Sequence, residues 1–268
     1  MISNKEFDES LHMVSKIWRD YKSRTISTNI SPSEDMIHLE WDPEWKHYMS
    51  VGEGALKIIL QSMLSCEKKS ANTILDMPCG FGRVTRHIKA AFPDADTYAC
   101  DLYADRIRFC AEQFGVTPFK SQEILSDVKF PEKFDLIWCG SLLTHLPERI
   151  FQDALRFFSR SLADDGIAII TLLGRASSFI HHNLFKYLPD DAFERVEEEY
   201  SLTGFGYADY DLQAKFFEQN SYGIAVVSPS YVMKCLENDY TIRVCGYLER
   251  HWDGQQDVLI LKKTELAS

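Results

Sequence analysis

Short apolar runs alternate with amphipathic stretches through the middle of the chain. Between the runs, apolar residues recur at helical spacing, as Val84, Ile88 and Ala91 do. Strands that alternate with helices form βαβ units, whose right-handed crossovers give a parallel sheet covered on both faces. We therefore expect a doubly wound α/β fold. The predicted strands are Thr73–Met77, Thr97–Cys100, 116–121, Phe134–Cys139 and Ile167–Leu173.

The flanking regions follow other patterns. Residues 4–22 and 51–65 have helical periodicity, and residues 23–45 between them read as irregular, so we expect an N-terminal helical cap over residues 1–66. The main domain is predicted to span 67–268, with a helical insertion at about 175–236. Tyr240–Tyr247 and Asp257–Lys262 then predict two strands joined by the Asp253-Gly254 turn of a hairpin.

Charge and composition restrict the partners. The formal net charge is −11, which disfavours binding to nucleic acid and to anionic membranes. The first ten residues lack an apolar signal core, and no apolar run is long enough to span a bilayer, so we expect a cytoplasmic protein. The seven cysteines form no CxxC pair and are expected to be reduced.

A glycine turn follows the first predicted strand, in the segment Asp76-Met77-Pro78-Cys79-Gly80-Phe81-Gly82-Arg83. Ligands of open parallel sheets bind at the carboxyl ends of the strands, where Gly80 and Gly82 would let the backbone approach a ligand closely. Asp101 closes the next strand 25 residues after Asp76, a position from which a carboxylate accepts hydrogen bonds from ribose hydroxyls. The alternative is a tight strand–helix turn with an incidental acid.

The turn favours S-adenosylmethionine over a dinucleotide. A dinucleotide fingerprint requires glycine three residues after Gly82, and that position is Thr85. Asp76 would be unfavourable beside a pyrophosphate, whereas a carboxylate suits the cationic sulfonium and amino groups of S-adenosylmethionine.

The run ILDMPCGFGRVTRHI resembles motif I of the class I S-adenosylmethionine-dependent methyltransferases, with Pro78 in place of the first glycine. The run FDLIWCGSLLTHL resembles the family's segment around the fourth strand. The resemblance implies a Rossmann-like fold, with a mostly parallel seven-stranded sheet and an antiparallel last strand. It also implies S-adenosylmethionine as cofactor, with Asp101 at the ribose and Gln122 and Glu123 near the adenine. The implied cofactor-binding residues are Asp76, Pro78, Cys79, Gly80, Gly82, Arg83, Asp101, Leu102, Gln122, Glu123, Cys139 and Gly140.

The C-terminal part carries a narrower resemblance. The segments YGIAVVSPSYV and GYLERHWDGQQDVLIL are similar to bacterial methyltransferases that accompany glycosyltransferases. This likeness suggests a glycan acceptor.

Transfer to a hydroxyl oxygen benefits from a general base. His145, just past the fourth predicted strand, is the candidate; the alternative is a histidine that flanks the helix starting near Pro147. Candidate acceptor-binding residues are Tyr48, His181, His251 and Trp252. The alternative is that these side chains pack in the interior or face solvent. No spacing of His, Cys, Asp or Glu reads as a metal site, so we expect transfer without a metal.

Three functions are compatible with the sequence. The first is a methyltransferase that acts on a small molecule or glycan, with transfer expected at oxygen. The second is a nicotinamide-dependent oxidoreductase on a related sheet, and the third is a catalytically silent module that binds the cofactor. The identity of the acceptor and the oligomeric state, including a homo-oligomer, stay open.

Overall fold

The computed structural model describes residues 4–37, 40–210 and 222–264. Helices and strands alternate through its centre, as the apolar pattern predicts. The helices are α1 (Asn4–Lys22), α2 (Lys46–Ser65), α3 (Thr85–Ala91), α4 (Ala104–Phe114), α5 (Glu148–Ser161), α6 (Ala176–Asn183), α7 (Asp190–Thr203) and α8 (Pro229–Leu236). The strands are β1 (Thr73–Asp76), β2 (Asp96–Asp101), β3 (Thr117–Lys120), β4 (Phe134–Cys139), β5 (Leu162–Leu172), β6 (Phe205–Asp209), β7 (Gly223–Val227), β8 (Ile242–Trp252) and β9 (Gln256–Lys263).

Seven strands form the central sheet, in the order β3-β2-β1-β4-β5-β9-β8. Strands β1 to β5 pair in parallel, and β9 lies antiparallel between β5 and β8. The strand order reverses direction at β1 and β4, so a crevice opens at their carboxyl ends. The predicted doubly wound, mostly parallel sheet with an antiparallel last strand is confirmed.

The continuous apolar strands are explained by burial on both faces of the sheet. Leu136 and Trp138 of β4 pack on the same side as α2, which contributes Leu56. Ile137 points to the other face, where it joins a core cluster that includes Phe151 of α5. A strand with apolar neighbours on both sides has no polar alternation, which is why β4 and β5 read as unbroken apolar runs.

Two element boundaries differ from the sequence prediction. Helix α2 begins at Lys46, five residues earlier than expected. Strand β5 begins at Leu162 and includes the Asp164–Gly166 segment that reads as a turn. The register between β4 and β5 shifts there, and Asp165 has a φ of 61°, so the turn-like composition produces an irregularity within a strand.

The insertion at about 175–236 is not purely helical. It contains α6, α7 and α8, and also β6 and β7, which form a separate two-stranded antiparallel sheet. The run Gly223–Val227 is short, rich in β-branched residues and fully buried, all typical of a strand. The middle of the insertion, 211–221, lies outside the described residues.

The described helices include none that combines the length and the apolar character needed to cross a membrane.

Candidate cofactor site

A cavity of about 230 Å³ opens at the carboxyl ends of β1, β2, β3 and β4. Five of the predicted cofactor-binding residues border it, which are Pro78, Asp101, Leu102, Gln122 and Glu123. They follow or end three different strands, so only the parallel arrangement of the sheet brings them together.

Gly80 leaves space beside this cavity. Its φ is +52°, and a Cβ atom built on it would meet no other atom within 4 Å. Its backbone N–H donates a hydrogen bond to Asp101 Oδ2 over 3.0 Å. An open, side-chain-free backbone next to a strand-end carboxylate fits the close approach of a nucleoside.

Gly82, in contrast to Gly80, is closely surrounded by side chains of α4. Its φ is +80°, and an added Cβ would lie 2.3 Å from Phe114 Cε2 and 3.1 Å from Cys110 Sγ. The missing side chain therefore lets the turn pack against α4, and the predicted contact of Gly82 with the cofactor stays a prediction.

Asp101 is buried and has hydrogen-bonding and charged partners around its carboxylate. Its two carboxylate oxygens accept from the backbone N–H groups of Gly80 and Tyr103, and Arg106 Nη1 lies 3.8 Å from Oδ2. Burial raises the pKa of its carboxyl, against the effect of these partners. Arg106 also pairs with Asp35 at 3.3 Å, which connects the N-terminal region to this wall of the cavity.

Asp76 lies deeper than Asp101 and does not border the cavity. It is 1% exposed, and Thr85 Oγ1 donates to its Oδ2 over 2.6 Å. Burial raises the pKa of the Asp76 carboxyl to about 7, and the nearby Asp101 adds to this effect. Cys79 and Cys139 are also buried. The hydrogen bond with Cys110, together with burial, raises the pKa of the Cys79 thiol, and burial raises the pKa of the Cys139 thiol.

Arg83 and Gly140 belong to an aromatic cluster on the α2 side of the turn. The Arg83 guanidinium lies 5.8 Å from the ring centre of Tyr48 and 5.6 Å from that of Trp252. A Cβ on Gly140 would lie 2.9 Å from Trp138 Nε1 and 3.0 Å from the Trp252 ring. Gly140 thus permits this packing immediately before the cavity residue Ser141.

None of the four predicted acceptor-binding residues borders the cavity. Trp252 is 3% exposed and its indole N–H donates to the carbonyl of Val51, so the ring packs in the core. Tyr48 is buried and donates to Glu34 over 2.6 Å. Both side chains therefore have packing or hydrogen-bonding partners outside the cavity, and their predicted contact with an acceptor stays a prediction.

The two predicted histidines are also partnered away from the cavity. His181 is buried in the insertion, where its ring stacks on Phe193 at 3.8 Å between centres. His251 is exposed on the terminal hairpin, and its Nε2 lies 2.8 Å from Gln61 Oε1. Sequence periodicity does not distinguish such packing from binding.

His181, His182 and Asp190 lie close enough for their ligand atoms to surround a metal ion. However, the backbone N–H of Tyr187 donates to His181 Nδ1 over 3.1 Å. A lone pair on Nδ1 places the proton of a neutral ring on Nε2, which then donates to Asp190 at 3.1 Å. This hydrogen bonding opposes metal binding through His181 Nε2.

His145 lies one layer behind the cavity wall. Its Nδ1 hydrogen-bonds to the carbonyl oxygen of Gly223 over 2.8 Å, with the Tyr210 hydroxyl at 3.2 Å. Its ring stacks on Tyr222, which does border the cavity, with 4.7 Å between the ring centres. Burial lowers the pKa of His145, so the ring is neutral near pH 7.

Several residues that line the cavity were not predicted from the sequence. Arg106 could have been predicted, because it lies only five residues after Asp101, in the first turn of α4. Tyr222 could not, because it reaches the cavity from a distant segment of the insertion. The missed residues also include Met77, Tyr103, Ser121, Ile124, Leu125, Ser141, Leu142, Leu146 and Ile150.

Comparison with protein families gives one match, to a model described as "Methyltransferase domain", over residues 75–168. The matched segment begins in β1, contains the glycine turn and Asp101, and ends in β5. The chain carries a class I methyltransferase domain. Enzymes of this class use S-adenosylmethionine, so the predicted family, activity and cofactor are confirmed, and a nicotinamide-dependent oxidoreductase is disfavoured.

Solved structures have the same fold as this methyltransferase. The PH0226 protein from Pyrococcus horikoshii is 15% identical, with a TM-score of 0.58, over 88% of this chain and all of that one. CalS10, an amino pentose methyltransferase from Micromonospora echinaspora, is 13% identical, with a TM-score of 0.55, over 89% of this chain and all of that one. A methyltransferase from Clostridium acetobutylicum is 13% identical, with a TM-score of 0.53, over 85% of this chain and 96% of that one. No curated protein matches the chain in sequence.

Proposed function

We propose that this methyltransferase transfers the methyl group of S-adenosylmethionine to a hydroxyl oxygen of a small molecule or glycan, without a metal ion. The observation that carries the proposal is the cavity itself, in which Asp101 at the end of β2 and Gln122 after β3 face one space. The proposal assigns Asp101 to the ribose hydroxyls and Gln122 to the edge of the adenine.

The walls of the cavity suit an adenosine. Leu102 follows β2 and Leu142 follows β4, on opposite sides of β1, and both provide apolar surfaces of the kind that a planar purine requires. The Gln122 and Glu123 side chains offer a donor and acceptors to the polar edge of the base. Gly80 keeps the backbone open beside Asp101, so a ribose has room to reach the carboxylate.

S-adenosylmethionine, when bound, supplies a methyl group that its sulfonium already activates. The task left to the protein is to position the acceptor and to take its proton. The carbonyl of Gly223 can only accept, so Nδ1 of the neutral His145 ring carries the proton and Nε2 carries the lone pair. We assign His145 Nε2 as the general base, reached by an acceptor hydroxyl that approaches beside Tyr222.

A sugar-containing acceptor is supported by two observations. CalS10, whose fold this chain shares, is an amino pentose methyltransferase. The C-terminal part of the chain also resembles methyltransferases that accompany glycosyltransferases. The insertion, which contributes Tyr222 to the cavity, is the region in which we expect acceptor selectivity to be encoded.

The test uses S-adenosylmethionine with a deuterium-labelled methyl group and a panel of nucleotide sugars, amino sugars and phenols, with a chelator present. Mass spectrometry should detect the labelled methyl on a hydroxyl oxygen of a panel compound. Transfer that requires an added divalent metal would overturn the metal-free part, and transfer to nitrogen would overturn the oxygen assignment. Cofactor binding without transfer to any compound would favour the silent module.

The base assignment is tested by His145→Gln, with His182→Gln on the exposed side of α6 as the control. His145→Gln should lower turnover by about a hundredfold, because base catalysis contributes roughly that much or more. Because the pKa of His145 is lowered, wild-type turnover should persist to below pH 6.5 and fall only under more acidic conditions. An unchanged pH profile in His145→Gln would remove His145 from the reaction.

A further inference from the structure

Ser141 is held in an unusual conformation at the end of β4. Its φ is 59°, in the left-handed region that residues other than glycine seldom adopt. Such a backbone persists where surrounding contacts fix it, and these positions concentrate at functional sites. Ser141 also borders the cavity.

Two neighbouring strands hold Ser141 through a closed ring of hydrogen bonds. Its backbone N–H donates to Thr171 Oγ1 of β5 over 2.8 Å. The Thr171 hydroxyl donates to Gln256 Oε1 of β9 over 2.5 Å. Gln256 Nε2 donates to Ser141 Oγ over 2.8 Å, so hydrogen bonds hold both the backbone and the side chain of Ser141.

Burial of Thr171 fixes the direction of this ring. Thr171 is 0% exposed, and its oxygen already accepts from the N–H of Ser141. Its hydroxyl proton therefore needs an acceptor, and among the residues that the structure describes this acceptor is the Oε1 of Gln256. The opposite orientation of the Gln256 amide would leave that proton without a partner in the core.

It follows that Ser141 Oγ accepts from Gln256 and that its own proton is not used in the ring. Within residues 4–37, 40–210 and 222–264, no acceptor takes this proton. The neighbouring cavity residues Met77, Leu142 and Tyr222 make that side of the wall largely apolar. Ser141 thus presents one oriented O–H donor to the cavity.

The order of the strands indicates which part of a ligand meets this donor. Gln122 follows β3 and Asp101 ends β2, whereas Ser141 follows β4 on the other side of β1. An adenosine with its base at Gln122 and its ribose at Asp101 directs its 5′ substituent toward β1 and β4. In S-adenosylmethionine that substituent carries the methionine amino and carboxylate groups, and only the carboxylate needs a donor.

We propose that the Ser141 hydroxyl donates a hydrogen bond to the methionine carboxylate of the cofactor, with Thr171 and Gln256 as its positioning residues. The proposal rests on the proposed binding of S-adenosylmethionine in this cavity. It also explains the strained backbone of Ser141, because the ring of hydrogen bonds orients a single O–H donor toward an apolar part of the cavity.

The test measures calorimetric affinities for two probes that share the adenosine. S-adenosylhomocysteine carries the amino-acid tail, whereas 5′-deoxy-5′-methylthioadenosine lacks it. Ser141→Ala should weaken S-adenosylhomocysteine binding by on the order of tenfold, as expected for a lost hydrogen bond to a charged group. The affinity for 5′-deoxy-5′-methylthioadenosine should stay within about twofold of the wild-type value. Ser141→Gly removes the same hydroxyl but suits a positive φ, so it supplies the comparison if the alanine variant folds poorly.

Thr171 variants test the ring. Thr171→Val should weaken S-adenosylhomocysteine binding selectively, because the ring opens, and Thr171→Ser should restore it, because the hydroxyl remains. A purely structural role would lower the affinities of both probes together, and that result would overturn the proposal. So would equal affinities in wild type and both Ser141 variants. Failure of wild type to bind either probe would instead refute the proposed function.

Discussion

The backbone N–H of Gly80 donates a hydrogen bond to the carboxylate of Asp101 over 3.0 Å. The bond connects the turn after β1 to the end of β2, so the two motif segments that lie 21 residues apart form one wall. Since Asp101 also faces the cavity, its carboxylate both shapes the turn and remains in reach of a ligand.

Asp101→Asn should weaken S-adenosylhomocysteine binding by about tenfold to a hundredfold, the range expected for hydrogen bonds to a charged group. Asp96→Asn is the matched control, because Asp96 is exposed at the opposite end of the same strand. Calorimetry on both variants measures the difference. Equal losses in the two variants would place the ribose elsewhere.

Asp76 predicts a pH dependence that distinguishes the charged cofactor from its neutral product. The pKa of its carboxyl is raised to about 7, so it is protonated below and ionised above that pH. An ionised carboxylate attracts a sulfonium, and a protonated one does not. The ratio of affinities for S-adenosylmethionine and S-adenosylhomocysteine should therefore rise severalfold from pH 6 to pH 8.

Asp76→Asn keeps the volume of the side chain and an acceptor for Thr85. This variant should remove the dependence of the affinity ratio on pH. Calorimetric titrations at the two pH values, in wild type and variant, provide the measurement. If the ratio rises with pH equally in both proteins, Asp76 does not sense the sulfonium.

The two glycines of the turn should respond differently to alanine. Gly82→Ala combines a positive φ with a methyl group 2.3 Å from Phe114, so it should destabilise the fold by roughly 2–4 kcal/mol. Gly80→Ala meets no atom within 4 Å and should cost only about 1 kcal/mol, but its methyl narrows the approach to Asp101. Urea unfolding and S-adenosylhomocysteine affinity separate the effects. Reversed stabilities would contradict the described packing.

How far the sequence predicts this molecule depends on whether a feature is local. The βαβ pattern, the glycine turn and Asp101 follow from spacing within a few tens of residues, so the fold and the position of Asp101 at the carboxyl end of β2 are predictable from the sequence. Tyr222 lies about 80 residues after Ser141 in the chain, yet both line the cavity. The hydrogen bond between Gln256 and Ser141 joins residues 115 positions apart. No periodicity in the sequence indicates such contacts. Trp252 illustrates the same limit, because an aromatic residue in a hairpin is equally compatible with packing and with binding.

His87 predicts acid sensitivity of the fold. Burial lowers its pKa to about 4 from an ordinary value of 6.5, while Nδ1 hydrogen-bonds to the Tyr21 hydroxyl. Between these values the unfolded chain binds a proton that the folded chain excludes, so stability is lost as the pH falls from 6.5 to 4. The full loss is on the order of 3 kcal/mol.

Urea unfolding of His87→Gln at pH 7.5 and pH 5 should show a smaller loss of stability than wild type between the two pH values. His12→Gln, at an exposed position on α1, serves as the control. A wild-type pH dependence that persists in His87→Gln would assign the acid sensitivity to other groups.

We expect the cavity beside Asp101 to receive a sulfur nucleoside rather than a dinucleotide. Calorimetric titration of the wild-type chain with S-adenosylhomocysteine and, separately, with NAD tests it most directly. We expect saturable binding of S-adenosylhomocysteine at one site per chain and no binding heat with NAD. Saturable binding of NAD, with no binding of S-adenosylhomocysteine, would show that the cavity is a dinucleotide site.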